Sequence, residues 1–235
     1  MTVGGPAGSS GGFDAQPGAR VVITIDGPAA SGKSSAAKLL AQRLGIAYVS
    51  SGLLYRGATL VALRQGIDVA DEGAILALLA EQDVRLHPEA GGNRVTVDWR
   101  DVTDELHTDA VDASVSVVAK HPRVRAWVND RLREMGGSFV IDGRDMGTSV
   151  FPGALAKFYL TADPAVRAKR RAGERSTGVE AIATELSRRD ERDKRQSVPA
   201  ADAVVIDTGP LTLVEVVEQV LTAVLRVLPA RTVNT

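Results

Sequence analysis

Cysteine does not occur in the 235 residues, which excludes a disulfide framework, a cysteine nucleophile and thiolate metal sites together. Histidine is scarce: His87, His107 and His121 are scattered along the chain and leave little from which to build a histidine metal centre. No apolar run reaches the roughly 18 residues a membrane span needs, and the first residues lack the basic-then-apolar pattern of a secretory leader. The formal net charge of −1 argues against a nucleic-acid binder with a general basic face. What remains is a chain with 44% apolar and 24% charged residues, the ordinary balance of a soluble globular protein. Its length suits one sizeable α/β domain with a small appendage. A cytoplasmic monomer without nucleic-acid or membrane partners is the expectation.

The near-neutral total conceals an asymmetry. From Asp68 to Asp112 there are twelve acidic residues against Arg85, Arg94 and Arg100, whereas from Arg167 to Arg195 ten basic residues face six acidic ones. Each run reads either as a solvated helix face or as part of an enzyme that folds a cationic flap over an anionic substrate.

Residues Met1 to about Arg20 are rich in Gly, Ser, Pro and Ala, and read as a disordered tail, because they bury too little apolar area to offset chain entropy. The fold starts at Val21-Val22-Ile23-Thr24-Ile25, a β-branched run of strand length bounded by Asp26-Gly27-Pro28. Further strands are expected at Ile46 to Val49, Ser138 to Ile141, Ala156 to Leu160 and Ala203 to Ile206. Helical patterns run from about Lys33 to Leu44, where Gly45 closes the helix. Others span roughly Leu53–Gln65, Gly73–Glu81, Ala110–Ala119, Pro122–Met135, Pro164–Arg171, Val179–Arg195 and Thr212–Leu228. Apolar strands alternating with helices predict an α/β fold, a parallel core sheet covered by helices on both faces. One stretch breaks the alternation. Val84 to His87 and Arg94 to Trp99, flanking Pro88 to Asn93, predict an antiparallel hairpin inserted into the parallel fold, with a further short strand near Val102.

Gly27-Pro28-Ala29-Ala30-Ser31-Gly32-Lys33-Ser34 fits the phosphate-loop pattern G-x-x-x-x-G-K-[ST], with a strand before it and a helix after it. Small residues let the backbone curl until successive N–H groups face phosphate oxygens, and the helix adds its positive N-terminal end. The segment Gly27 to Ser35 is therefore expected to hold a nucleoside triphosphate. Lys33 would neutralise the β- and γ-phosphates, and the Ser34 hydroxyl would ligate Mg²⁺. No N-K-x-D guanine reader is present, and the chain is short for an ATPase that moves partner domains.

Arginines stand where a second phosphate would need them. Ser51-Gly52-Leu53-Leu54-Tyr55-Arg56 follows the second strand, and Asp142-Gly143-Arg144-Asp145-Met146-Gly147-Thr148 follows the Ser138 to Ile141 strand. Both loops leave the carboxyl ends of parallel strands, where open α/β sheets bind ligands. Arginine's planar, permanently charged fork suits a phosphate.

These runs, together with Ile23-Thr24-Ile25-Asp26-Gly27-Pro28 and His121-Pro122-Arg123-Val124-Arg125, resemble bacterial cytidylate kinases from about Val21 to Leu228. The Asp-Gly-Arg-Asp-Met-Gly-Thr run is specific to that family. The resemblance implies a nucleoside monophosphate kinase fold with a helical lid. The kinase domain would span 21–230, its monophosphate-binding insertion about 53–135 and its lid about 165–197, with tails at 1–20 and 231–235. It implies transfer of the γ-phosphoryl group of ATP to CMP or dCMP with Mg²⁺. Ser51, Tyr55, Arg56 and Arg144 would contact the acceptor, with Ser51, Arg56 and Arg144 at its phosphate. Ser116, Arg125 and Asp145 would read cytosine, the carboxylate accepting from the exocyclic amino group, which uracil lacks. Arg189 and Asp193 would reach the sugar. Arg195 is the nearest counterpart of a further family arginine, in a stretch from Asp193 to Pro199 that departs from the family's spacing. Ser50 is a second departure, since the family often has Asp there.

Lys33, Arg144, Arg167 and Arg171 are the expected catalytic residues, in a lid that also offers Arg170 and Arg175 and the hinge candidates Gly173 and Gly178. Two other readings stay open from the residues alone: a kinase of another nucleotide or small acceptor, and a non-catalytic ATP-binding switch.

Overall fold

A computed structural model describes residues 20–89, 92–173, 179–193 and 196–228, without the side chains of Val179, Arg189 and Arg192. The expectations for the two tails, Arg175, Gly178 and Arg195 fall outside the described residues, as does the side-chain role given to Arg189.

Strand β1 (Val22–Asp26) is followed by α1 (Lys33–Leu44), β2 (Ala47–Ser50), α2 (Gly52–Arg64) and α3 (Glu72–Glu81). The insertion holds β3 (Val84–Glu89), β4 (Gly92–Val97), β5 (Arg100–Asp101), a tight helical turn at Thr103–His107, α4 (Asp109–Val118) and α5 (Pro122–Arg133). The chain returns through β6 (Phe139–Gly143), a wide turn at Met146–Val150, β7 (Ala156–Thr161), α6 (Pro164–Gly173), α7 (Val179–Asp193), β8 (Val204–Asp207) and α8 (Leu213–Val227).

The five core strands pair in parallel in the order β2-β6-β1-β7-β8. β1 lies at the centre with all five residues buried, which is why its sequence reads as a continuous apolar run rather than an alternation. Side chains nevertheless point alternately to the two faces. Ile23 and Ile25 join Leu40, Phe158, Val217 and Val220 beneath α1 and α8, while Val22 joins Leu54, Val124, Phe139 and Ile141 beneath the insertion. The core therefore lies in two layers divided by the sheet. Every predicted helix and strand of the parallel sheet is present, with ends shifted by at most two residues.

The hairpin departs from expectation in two places. Pairing runs past His87 through Pro88↔Asn93 to Glu89↔Gly92, so the strands extend into the predicted turn. Proline is tolerated because β3 is an edge strand of the sheet β3-β4-β5. At the other end the strand stops short of Trp99. Asp98 (φ 48°) and Trp99 (φ 68°) form the left-handed two-residue turn into β5. Trp99 is 77% exposed, with the Arg85 guanidinium 5.4 Å from its ring centroid.

Candidate active site

The carboxyl ends of β1, β2 and β6 open into a cleft of about 420 Å³. Its floor is the loop between β1 and α1. A Cβ on Gly27 would lie 2.1 Å from the Leu160 carbonyl oxygen, so only glycine lets the chain leave β1 at this angle. Ala30 sits at φ 58°, a conformation that a non-glycine residue holds only under constraint. Gly32 at φ 87° then turns the chain into α1, whose first residue is Lys33. Ala29, Ala30, Gly32, Lys33, Ser34 and Ser35 line the cleft. Pro28 accepts from Lys33 Nζ (3.2 Å) through its carbonyl, and Ser31 is fully buried behind the loop.

Beside the loop, Ser34 Oγ donates to Asp142 Oδ2 (2.6 Å) and the Tyr48 hydroxyl donates to Asp142 Oδ1 (2.8 Å). Burial, reinforced by the Asp142 charge, pushes the Tyr48 hydroxyl far above its ordinary range, so it stays a donor. Asp142 and Tyr48 were not among the candidates. The only signal in the sequence was an acidic residue directly after an apolar strand run; the register Ile25↔Asp142 that brings it to the phosphate loop appears only in the fold.

The opposite wall carries three arginines, each set against a carboxylate. Arg56, one turn into α2, donates to the Leu106 carbonyl (2.7 Å) and pairs with Asp112 (2.6 Å). Arg125 of α5 pairs with Asp145, donates to the Ala119 carbonyl (3.2 Å) and lies 5.8 Å from the Tyr55 ring centroid. Arg144 pairs with Asp193 of α7 (2.9 Å) and donates to the Gly27 carbonyl (2.8 Å). Ser51 is buried, its hydroxyl donating to the Asp142 carbonyl (2.7 Å), and Ser116 and Arg171 complete the predicted wall. The Tyr55 hydroxyl is buried without a hydrogen-bond partner, and burial pushes it up to about 12. His107 and Gln196 also line the cleft, although the sequence reading gave them no role.

The loop bearing Arg144 and Asp145 is fixed from below. Asp26, ending β1, accepts from the backbone N–H groups of Met146 (2.9 Å) and Gly147 (2.8 Å). A Cβ on Gly147 would lie 2.8 Å from Thr24 Oγ1, so this close approach needs glycine. Burial raises the Asp26 carboxyl to about 6, and the two N–H donors only partly offset it.

Two arginines fall elsewhere than expected. Arg167 is 4% exposed and does not line the cleft; it donates to the carbonyls of Ala162 (3.1 Å) and Ala29 (3.2 Å) and pairs with Asp190 (2.6 Å). Its guanidinium braces the phosphate loop against α7 from behind. Arg170 donates to Thr208, through Oγ1 (2.8 Å) and the carbonyl (2.5 Å), rather than facing the cleft. α6 and α7 meet the loop through Ala29, Ala168, Ile182 and Leu186. Chemically, one cleft joins a loop suited to a polyphosphate and an arginine wall suited to a second phosphate.

A family model described as cytidylate kinase matches residues 23–226. A cytidylate kinase of Deinococcus deserti is 57% identical over 211 residues, covering 90% of this chain and all of the relative. One from Thermus thermophilus is 58% identical over 207 residues, 88% of this chain and again all of the relative. Among solved structures, a shikimate kinase from Bacteroides thetaiotaomicron aligns over 88% of this chain and 99% of its own, at 12% identity and a TM-score of 0.47.

Proposed function

The chain belongs to the cytidylate kinase family, and on that premise we propose how its cleft moves the γ-phosphoryl group of ATP to CMP or dCMP, giving ADP and CDP or dCDP. The observation that carries the assignment is the joining of the phosphate loop and the arginine wall in one cleft. The triphosphate lies along Gly27 to Ser35, with Lys33 at the β- and γ-phosphates. The acceptor's phosphate lies between Ser51, Arg56 and Arg144. Its base meets Ser116, Arg125 and Asp145 with Tyr55 alongside, and its sugar faces Asp193 and Arg189. Arg195 is assigned to the acceptor as a further binding arginine.

An acceptor oxygen attacks the γ-phosphorus in line, and ADP leaves. The attacking oxygen already carries charge, so no strong base is needed and positioning with electrostatic stabilisation supplies most of the rate. Lys33, the loop N–H groups, Arg144 and Arg171 offset the charge that spreads over the transferring oxygens. Arg167 supports them indirectly by bracing Ala29. The oxygen donors Ser34 and Asp142, adjacent and hydrogen-bonded, suit Mg²⁺, which favours one or two protein oxygens beside substrate phosphates. When bound there, the ion neutralises phosphate charge. Among the described residues no helix is long and apolar enough to cross a membrane, and the phosphorylated substrates fit a cytoplasmic site.

The test is ADP release from ATP in the presence of CMP, dCMP, UMP or AMP. Cytidine nucleotides should dominate, and Lys33→Met should lower turnover by roughly 10²–10⁴-fold while CMP binding changes little. Equal rates with UMP or AMP, or normal turnover in Lys33→Met, would overturn the assignment.

A further inference from the structure

We propose that His107 is a further binding residue for the acceptor's phosphate, an imidazole that takes up a proton as the nucleotide binds. The proposal rests on the acceptor site assigned above and adds to it a charge that the enzyme carries only when occupied.

His107 ends the tight turn Thr103–His107 and lines the cleft on the arginine side. The carbonyl of its neighbour, Leu106, accepts from Arg56, which fixes the imidazole's backbone beside the guanidinium assigned to the acceptor phosphate. Charged groups face it from three elements: Arg56 from α2, Asp112 from α4 and Arg171 from α6. On its own turn Glu105 is engaged by Arg64, and on β4 Arg94 is engaged by Glu89. Enclosure by the cleft walls, then the positive charge of Arg56, hold the imidazole below its ordinary value; Asp112 pulls the other way, and Arg171 adds to the depression. Near neutral pH the ring is therefore uncharged.

A phosphate dianion brought between Ser51, Arg56 and Arg144 reverses that balance. It cancels the repulsion from the arginines and offers an acceptor for an imidazolium N–H, so the ring gains a proton from solvent. Proton and phosphate then bind cooperatively, and each raises the affinity of the other by the same factor.

Two measurements on the full-length protein test this. The KM for CMP should rise about three- to tenfold from pH 6.5 to 8.5 in the wild type, the range over which a bound imidazole would lose its proton. In His107→Asn that dependence should disappear, with KM held at the wild type's high-pH value. In His107→Arg KM should stay low at every pH, because the charge is then permanent. Calorimetry of CMP binding at pH 7.5, in buffers of different ionisation enthalpy, should show net proton uptake in the wild type and none in either variant. Free phosphate monoesters are mostly dianionic at that pH, so the nucleotide itself has little proton to exchange. A wild-type KM profile or unchanged proton uptake in His107→Asn would overturn the proposal. Failure of the underlying acceptor reading would show earlier and differently, as a wild-type protein that neither binds nor phosphorylates CMP.

Discussion

Asp145 tests base choice one side chain at a time. It is 6% exposed and paired with Arg125, while Arg144, its neighbour in sequence, reaches the phosphate loop. In the proposed binding mode Asp145→Ala deprives the amino group of CMP of its acceptor, and kcat/KM for CMP should fall by about 2 kcal/mol or more. UMP should lose far less, so the ratio of the two substrates should approach unity. An unchanged ratio, measured on the same variant, would show that Asp145 serves only to hold Arg125. Asp26 makes a prediction about pH. Its carboxyl is raised to about 6 from an ordinary 3.8, so the folded state holds a proton that the unfolded chain releases. Its contribution to stability is greatest below pH 4 and is lost as pH rises through 6, by about 3 kcal/mol for a two-unit shift. Urea denaturation of the wild type and of Asp26→Asn at several pH values should show their stability difference changing between pH 4 and 6 and flat above 7. Parallel curves would refute it. Residues of the phosphate loop and of the two arginine-bearing loops were legible because short motifs fix them. Asp142 was not, because its role appears only when parallel register brings β6 level with β1. Arg167 misled because the charge of an arginine says nothing of its direction: here backbone carbonyls and Asp190 claim the guanidinium.

Helices α6 and α7 act together on the phosphate loop. Leu186 and Ile182 pack on Ala29, Arg167 bonds the Ala29 carbonyl, and Asp193 holds Arg144. Leu186→Ala loosens this seat at the edge of the cleft and removes none of the side chains assigned to nucleotide contact. Turnover with CMP should fall by roughly tenfold, and ADP release without an acceptor should rise relative to it, because closure excludes water from the γ-phosphate. A fall in turnover with no change in that ratio would mean that α7 contributes only stability. At this scale the strand–helix alternation was readable from buried apolar runs and helical periodicity. The turn at Asp98-Trp99 was not, because aromatic residues favour strands and seldom adopt positive φ. The pairing of Pro88 and Glu89 with Asn93 and Gly92 was missed for a related reason: Pro88 reads as a strand breaker until its place on an edge is known.

Across the whole molecule, the cleft draws its walls from Ala29 to Gln196, and so from the core, the insertion and the α6–α7 pair. Such a site exists only in the folded chain. Saturation at about 100 times Kd should stabilise the protein by about 2.7 kcal/mol per nucleotide. Melting should therefore shift upward by roughly 5–10 °C with either CMP or a non-hydrolysable ATP analogue, and by about twice that with both present. A shift confined to one nucleotide would indicate that the other site is absent.

The pairing of each wall arginine with a carboxylate has a consequence for which molecules enter. Arg56 with Asp112, Arg125 with Asp145 and Arg144 with Asp193 form three internal counter-ion couples. An incoming anion competes at each with a carboxylate that is tethered and so present at high effective concentration. Bare phosphate can contest at most the Arg56 and Arg144 couples and leaves the third intact. In the proposed binding mode a nucleotide contests several at once, its phosphate at Arg56 and Arg144 while its base engages Arg125 and Asp145. Bound in that mode, the couples thus set a threshold that favours a ligand of nucleotide length over small anions, because the protein's own acids already occupy its arginines.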